Sequence, residues 1–245
     1  MFQPRLAISS LSGRSDAQWA RDAEPWVGMA FLGGIALDGD TRNAARKLVT
    51  VRDRTEFLPP DPFAFVNDQL GELADADVEA GLNVRAIENE SLRRSAEICA
   101  EHDAILEINA HCRQEEMTAI GAGQALLGDP NRLAEQVRVA GEAGATVSVK
   151  VRTEVPGVNL TEVCSVLDSA GADIVHVDAM DSEPVVGEIV DRTEAFVIAN
   201  NGVRDRETAR EYLEYGADAV SVGRPSDDPH VLERVLGAVR SWDFE

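Results

Sequence analysis

Short apolar segments alternate with longer amphipathic segments along most of this chain, a pattern typical of parallel α/β proteins. The apolar segments are rich in Val, Ile and Ala. They predict eight strands, at residues 5–10, 27–33, 81–85, 104–108, 146–151, 173–177, 195–199 and 218–222. The amphipathic segments predict helices, five of which have clear limits, at residues 91–101, 131–143, 160–170, 206–215 and 229–242. The pattern sets no helix limits within residues 38–77.

Several of the predicted helices end in a glycine directly before the next strand, at Gly144, Gly171 and Gly216. Glycine suits the left-handed conformation that ends a helix. Eight strands, each followed by a helix or a long loop, predict a (β/α)8 TIM barrel that forms one domain over residues 1–245. An open doubly wound sheet is the alternative, and it is less favoured because no G-x-G-x-x-G motif follows the first strand.

The composition is strongly acidic, with 44 acidic against 23 basic residues and a net charge of −21. Lys47 and Lys150 are its only lysines, and the acids are spread along the chain. We interpret this surface as a halophilic adaptation to a salt-rich cytosol, and no basic stripe indicates nucleic-acid binding. Three cysteines without paired spacing also favour a reducing cytosol.

The longest apolar run, residues 26–37, is too short and too rich in glycine to span a membrane. The N-terminal residues lack the pattern of a signal peptide, and no C-x-x-C pair predicts a metal site. We therefore expect a cytoplasmic protein without a bound metal.

Catalytic residues of TIM barrels lie at the carboxyl ends of the strands. In this sequence, polar residues and glycines lie at the predicted carboxyl ends of the third to the eighth strand. They are Asn83, Arg85, Asn109, His111, Cys112, Lys150, Arg152, His176, Asp178, Asn200, Asn201, Gly202, Gly223 and Arg224.

A phosphate site is predicted where the seventh and eighth strands end. Gly202 and Gly223 allow the backbone to approach a ligand closely, and Arg224 adds a positive charge. The alternative interpretation is a pair of ordinary loops between strand and helix.

Three further side chains predict chemistry at these strand ends. Lys150 lies inside an apolar strand, where a charge is costly unless it is paired, so it favours a functional role. Cys112 follows a strand end beside His111, which indicates proton transfer or nucleophilic chemistry, although buried cysteines commonly serve only in packing. His176 lies near the end of the sixth strand, where a buried structural histidine is the alternative.

Five motifs occur in order at successive strand ends, and together they resemble the flavin-dependent dihydrouridine synthases, which are related to dihydroorotate dehydrogenases. The longest is NAHCRQEEMTAIGAGQALL at residues 109–127, and it is similar to an Asn-x-Gly-Cys-Pro segment followed by a glycine-rich stretch. The others are VKVR from Lys150, the histidine at position 176, the Asn201–Gly202 turn and the closing Gly223–Arg224 pair. The resemblance covers residues 81–224.

The resemblance implies FMN as cofactor, with its phosphate on Gly202, Gly223 and Arg224. It implies that Lys150 and His176 contact the flavin ring or the ribityl chain, that Asn83 takes the place of a flavin-binding glutamine, and that Asn201 belongs to the cofactor-binding turn. It also implies an oxidoreductase that acts on a C=C bond of a pyrimidine-type substrate and uses a nicotinamide or other electron donor. Cys112 would be the acid and Asn109 would orient the substrate, with His111 as the alternative acid.

The sequence departs from the family pattern in the cysteine loop, in the segment HVDA from His176, which lacks the family's arginine, and in the C-terminal region. His111 and Arg113 replace the Gly and Pro that flank the cysteine, and no C-terminal helical tRNA-binding domain is expected. Together with the net charge of −21, this argues against tRNA processing and favours a small molecule. The alternatives are a dihydroorotate dehydrogenase-like enzyme, a flavin-free isomerase or aldolase that binds a sugar phosphate, and a binding protein without activity.

Overall fold

Eight parallel strands close into a barrel in the computed structural model, which describes residues 2–244. The strands are β1 (Leu6–Ile8), β2 (Met29–Ala36), β3 (Glu79–Arg85), β4 (Ile105–Asn109), β5 (Thr146–Arg152), β6 (Ile174–Asp178), β7 (Phe196–Asn200) and β8 (Ala219–Val222). Because β1 pairs with both β2 and β8, no strand is left as an edge. The TIM-barrel prediction is confirmed, and the open-sheet alternative is wrong.

Helices follow the strands and cover the outside of the barrel. They are α1 (Ala17–Ala23), α2 (Gly39–Arg52), α3 (Pro62–Gly71), α4 (Asn89–Glu101), α5 (Glu115–Thr118), α6 (Pro130–Glu142), α7 (Leu160–Ser169), α8 (Val185–Val190), α9 (Arg206–Glu214) and α10 (Pro229–Arg240). Short 3-10 helices add Gly123–Gly128 and Arg224–Asp227. Among the residues that the structure describes, no helix is long and apolar enough to cross a membrane.

The predicted strands and helices agree with the observed ones to within three residues at each end. The largest difference is in β2, which continues to Ala36 although the prediction ended it at residue 33. The register between β2 and β3 shifts between Gly33 and Ile35, and the two glycines in this bulge interrupt the apolar pattern. The apolar pattern therefore did not show where β2 ends.

The interior of the barrel changes from apolar to polar along the strands. Side chains that point inward at the amino-terminal end form an apolar layer, composed of Phe2, Ala7, Met29, Phe31, Ile105, Ile174, Ile198 and Ala219. Towards the carboxyl ends the inward positions become polar, for example Glu107 and Asn109 two and four residues after Ile105. The barrel thus has an apolar floor below a polar upper half, where the candidate site lies.

Candidate active site

A buried carboxylate is the centre of the polar half of the barrel. Glu107 accepts hydrogen bonds from Asn83 at 2.7 Å, from the Ser148 hydroxyl at 3.1 Å and from Nδ1 of His176 at 2.7 Å. Burial alone would raise the pKa of Glu107, but His176, the charge of Lys150 and the other hydrogen bonds outweigh it and lower the pKa to about 2. Glu107 is therefore ionised at neutral pH.

The ionised carboxylate fixes the protonation of His176. Burial, reinforced by the charge of Lys150, lowers the pKa of His176 to about 4, so the ring is neutral at pH 7. Because Glu107 can only accept, Nδ1 carries the ring proton, and Nε2 accepts from the Ser221 hydroxyl at 2.7 Å. The Ser221 oxygen in turn accepts from the Asn200 amide at 2.7 Å.

The same network reaches the loop after β4. The Asn109 amide donates to Asn83 at 2.8 Å, and the Asn109 oxygen accepts from the backbone N–H of Cys112 at 3.1 Å. Buried hydrogen bonds therefore run without interruption from the Cys112 backbone, through Glu107, to Asn200 on the opposite side of the barrel. These hydrogen bonds fix the polar side chains relative to one another below the mouth of the barrel, which is its open end at the carboxyl ends of the strands.

A cavity of about 550 Å³ opens above this network. Its lining includes the polar side chains of Lys150, Asp178 and Asn200, together with Gly202, Gly223 and Arg224. A Cβ atom at Gly223 would meet no atom within 4 Å, and one at Gly202 would meet only the Arg204 guanidinium at 3.9 Å. Both glycines therefore leave open space, which a ligand can occupy against the backbone.

Lys150 is an almost completely buried residue in the lining of this cavity, with 1% of it exposed. It donates to the Ser9 hydroxyl, which accounts for one of its three N–H groups. Burial lowers the pKa of Lys150, and the nearby charges of Glu107 and Asp178 oppose that shift. The remaining N–H groups have no hydrogen-bond partner within residues 2–244.

A second cavity of about 380 Å³ adjoins the first and shares His111, Asp178, Asn201 and Arg224 with it. Cys112 lines this cavity, with 5% of the residue exposed and its apolar surroundings contributed by α2 and α5. Burial raises the pKa of the thiol, so it is protonated at neutral pH and suited to act as an acid.

His111 stands between the two cavities. Its Nδ1 lies 3.4 Å from Oδ2 of Asp178, and burial lowers the pKa of its ring. The Asp178 carboxylate also accepts from the Asn201 amide at 2.9 Å, and these contacts, together with the charge of Lys150, lower its pKa despite burial. The geometry leaves both Cys112 and His111 in positions to exchange a proton with a molecule in the second cavity.

Most of the predicted site residues lie around the two cavities. Those that line a cavity are Arg85, Asn109, His111, Cys112, Lys150, Arg152, Asp178, Asn200, Asn201, Gly202, Gly223 and Arg224. Asn83 and His176 line neither cavity, because they lie below the mouth with their polar atoms hydrogen-bonded to the network. For these two residues, direct contact with a flavin stays a prediction, and it would require some of these hydrogen bonds to be exchanged.

The sequence interpretation missed the buried partners that organise the site, above all Glu107, Ser148 and Ser221. Glu107 lies within the apolar segment that predicts the fourth strand, two residues before Asn109 and therefore on the same face of β4. The alternation of side chains along β4 is the signal that could have identified Glu107, because the end of that strand was already predicted to be functional. Arg85, which lines the second cavity, forms an ion pair with Glu56 at 2.7 Å, and no comparable signal pointed to Glu56, which lies in a segment without regular structure.

The sequence and structure are similar to several known proteins. An uncharacterized protein of Methanocaldococcus jannaschii is 28% identical over 236 residues, covering 90% of this chain and 88% of that protein. Morphinone reductase, solved in complex with tetrahydroNAD, has a TM-score of 0.64 at 14% identity, over 96% of this chain and 87% of that one. A chain of the tryptophan synthase complex from Pyrococcus furiosus has a TM-score of 0.62 at 14% identity, over 97% and 100%.

At 14% identity the two solved structures show a shared barrel fold and nothing further. The family model for dihydrouridine synthases matches residues 80–240, which include every strand end from β3 to β8 and the loop that carries Cys112. The chain therefore belongs to the dihydrouridine synthase family.

Proposed function

We propose that this protein is an FMN-dependent oxidoreductase that adds or removes hydrogen across an activated C=C bond of a pyrimidine-type compound. The observation that carries the proposal is that two adjoining cavities with complementary chemistry lie at the same end of the barrel. The Lys150 ammonium and the open glycine backbone share one cavity, and a protonated thiol lines the adjoining one. Membership of the dihydrouridine synthase family supports the same chemistry.

The residues around the first cavity fit FMN. Gly202 and Gly223 leave room for a phosphate against the backbone, and Arg224 forms no ion pair within the described part of the chain. Lys150 presents unpartnered N–H groups to the cavity, where they would stabilise negative charge on a flavin ring. FMN bound there would supply or accept the hydride.

The chain's own residues would handle the proton. The Cys112 thiol would donate it to one carbon of the substrate, and Asn109 would hold the Cys112 backbone in place through its 3.1 Å hydrogen bond. His111, oriented by Asp178, would return a proton to the thiolate or act as the acid itself. A nicotinamide nucleotide or another soluble reductant would provide electrons between turnovers.

The absorption spectrum of the purified protein tests the cofactor. We expect flavin bands, release of FMN on denaturation, and a Kd for FMN about 10- to 100-fold weaker in Arg224→Ala, the cost of one charge-assisted hydrogen bond. Arg138→Ala, on the exposed face of α6, is the matched control and should bind FMN normally. A colourless protein that takes up no added FMN but binds a sugar phosphate would instead favour a flavin-free isomerase or aldolase.

A further inference from the structure

The Lys150 ammonium group shares its positive charge with two carboxylates. Glu107 lies on β4 and Asp178 on β6, the two strands that pair with β5. Burial lowers the pKa of Lys150, and the charges of both carboxylates oppose that shift. Lys150 in turn helps to keep both carboxylates ionised. The positive charge in the first cavity is therefore partly cancelled by two negative charges.

Asp178 is the one of these two carboxylates that reaches the cavity. It lines the first cavity together with Lys150, whereas Glu107 belongs to the buried network below. Lys150 pairs in register with His176, and Asp178 follows two residues later on the same inward face of β6. The Asp178 side chain is only 16% exposed, so water and salt screen its charge weakly.

The direct partners of Asp178 leave its negative charge uncompensated. Its carboxylate accepts from the neutral Asn201 amide at 2.9 Å, and Nδ1 of His111 lies 3.4 Å away. Burial lowers the pKa of His111, so this ring is neutral at pH 7. Arg152 is its neighbour in the strand register but forms no ion pair with it within residues 2–244. Asp178 therefore adds a negative charge to the first cavity that opposes the charge of Lys150.

This negative charge is a departure from the family pattern. In the segment HVDA, Asp178 occupies the position at which the family pattern has its arginine. A positive charge is thus replaced by a negative one at a position that lines the proposed flavin cavity. Because a flavin gains negative charge when it is reduced, the sign of a charge beside the ring affects how readily the ring accepts electrons.

We propose that Asp178 opposes the charge of Lys150 at the flavin and lowers the midpoint potential of bound FMN, which makes this protein a reductase of C=C bonds. The inference rests on the function proposed above and gives that reaction a direction. One substrate carbon accepts a hydride from the reduced flavin, and the other accepts the proton of the Cys112 thiol. The C=C bond is thereby reduced and the flavin is oxidised.

The midpoint potential of the FMN-loaded protein at pH 7, measured by equilibration with a reference dye, tests the inference. Asp178→Asn removes the charge and keeps an oxygen that can accept from Asn201. We expect reduced FMN to gain about tenfold in affinity relative to oxidised FMN, which raises the potential of this two-electron couple by about 30 mV. Asp181→Asn is the matched control, because Asp181 is an exposed carboxylate in the loop after β6 and lines neither cavity. Its potential should stay close to that of the wild type.

Two further variants separate the effect of the charge from a displacement of neighbouring side chains. His111→Gln replaces a neutral ring and leaves the Asp178 carboxylate charged, so the potential should stay close to the wild-type value. Asp178→Ser removes the same charge with a smaller side chain and should raise the potential as Asp178→Asn does. It also provides the measurement if Asp178→Asn does not fold.

An unchanged or lower potential in the Asp178 variants would overturn the inference. An equal rise in Asp181→Asn would also overturn it, because the effect would then not depend on the position of the charge. The same rise in His111→Gln would assign the effect to displacement of the ring rather than to the carboxylate. A wild-type protein that binds no FMN would contradict the proposed function instead.

Discussion

At the residue scale, the environment of Cys112 fits the proposed role of proton donor better than that of a nucleophile. Burial raises the pKa of its thiol, and Asn109 fixes its backbone. We predict that Cys112→Ala binds FMN and accepts electrons normally, but that its substrate half-reaction slows by about 10²- to 10⁴-fold, the usual contribution of general acid catalysis. Rapid-mixing measurements of the two half-reactions check this, and Cys112→Ser should also be impaired.

The controls for that prediction are Cys99→Ala and Cys164→Ala. Both cysteines are buried in the helical layer, in α4 and α7, and burial alone raises their pKa values. Their substitution should reduce stability and leave turnover unchanged. A half-reaction that survives Cys112→Ala but collapses in His111→Ala would transfer the acid role to the histidine.

The residues at the mouth of the barrel could be predicted from the sequence, whereas those of the buried hydrogen-bond network beneath it were missed. Cys112, Lys150 and Gly223 stand at strand ends, where the position alone suggests function. Glu107 carries only the weaker signal of alternation along β4, because the hydrogen-bond partners that stabilise its carboxylate come from three other strands. Those partners are brought together by closure of the barrel, which local sequence does not display.

At the element scale, the loop between β4 and α5 depends on the short 3-10 helix that follows. The backbone N–H of Gln124 donates to the Cys112 carbonyl at 2.9 Å. Gly123 has a φ of +63°, and a Cβ there would lie 2.3 Å from the Cys112 carbonyl oxygen and 2.5 Å from its Sγ. The glycine thus allows the helix to pack directly against the proposed acid.

We therefore predict that Gly123→Ala displaces Cys112, because the methyl group has no space and the backbone favours glycine. Turnover should fall about as far as in Cys112→Ala, and unfolding should occur at a lower denaturant concentration. The matched control is Gly128→Ala at the end of the same helix, where a Cβ would meet nothing within 4 Å. Equal activity of the two variants would show that the packing of Gly123 does not position the thiol.

The segment at residues 38–77 shows why some elements escaped prediction. Helix α2 begins at a capping box formed by Asp38 and Thr41, and α3 begins at Asp61 with Pro62 in its first turn. Both signals are present in the sequence, but the connection between them contains no regular structure. Its position is fixed by long-range contacts, chiefly the ion pair between Glu56 and Arg85, which a local pattern cannot show.

At the scale of the whole molecule, the buried network ties stability to pH. The pKa of His176 is about 4 in the folded protein, against about 6.5 in an unfolded chain. Between these values the unfolded state binds more protons, so the free energy of unfolding decreases as the pH falls from about 6.5 towards 4. Glu107, whose folded pKa is about 2, adds a further loss below about pH 4.5.

We predict that His176 accounts for a loss of roughly 2 to 3 kcal/mol between pH 7 and pH 4.5. Acidification also relieves repulsion within a chain of net charge −21, so the total change in the wild-type protein mixes opposing effects. His176→Gln separates them, because the amide can donate to Glu107 and accept from Ser221 without titrating. Urea denaturation gives the free energy of unfolding of wild type and of this variant. The amount by which the wild-type value exceeds the variant value should be smaller at pH 4.5 than at pH 7 by the loss predicted above. His230→Gln, which replaces an exposed histidine at the start of α10 outside the network, is the matched control variant. A constant difference for His176→Gln across this range would mean that His176 is not held neutral by its burial in the network.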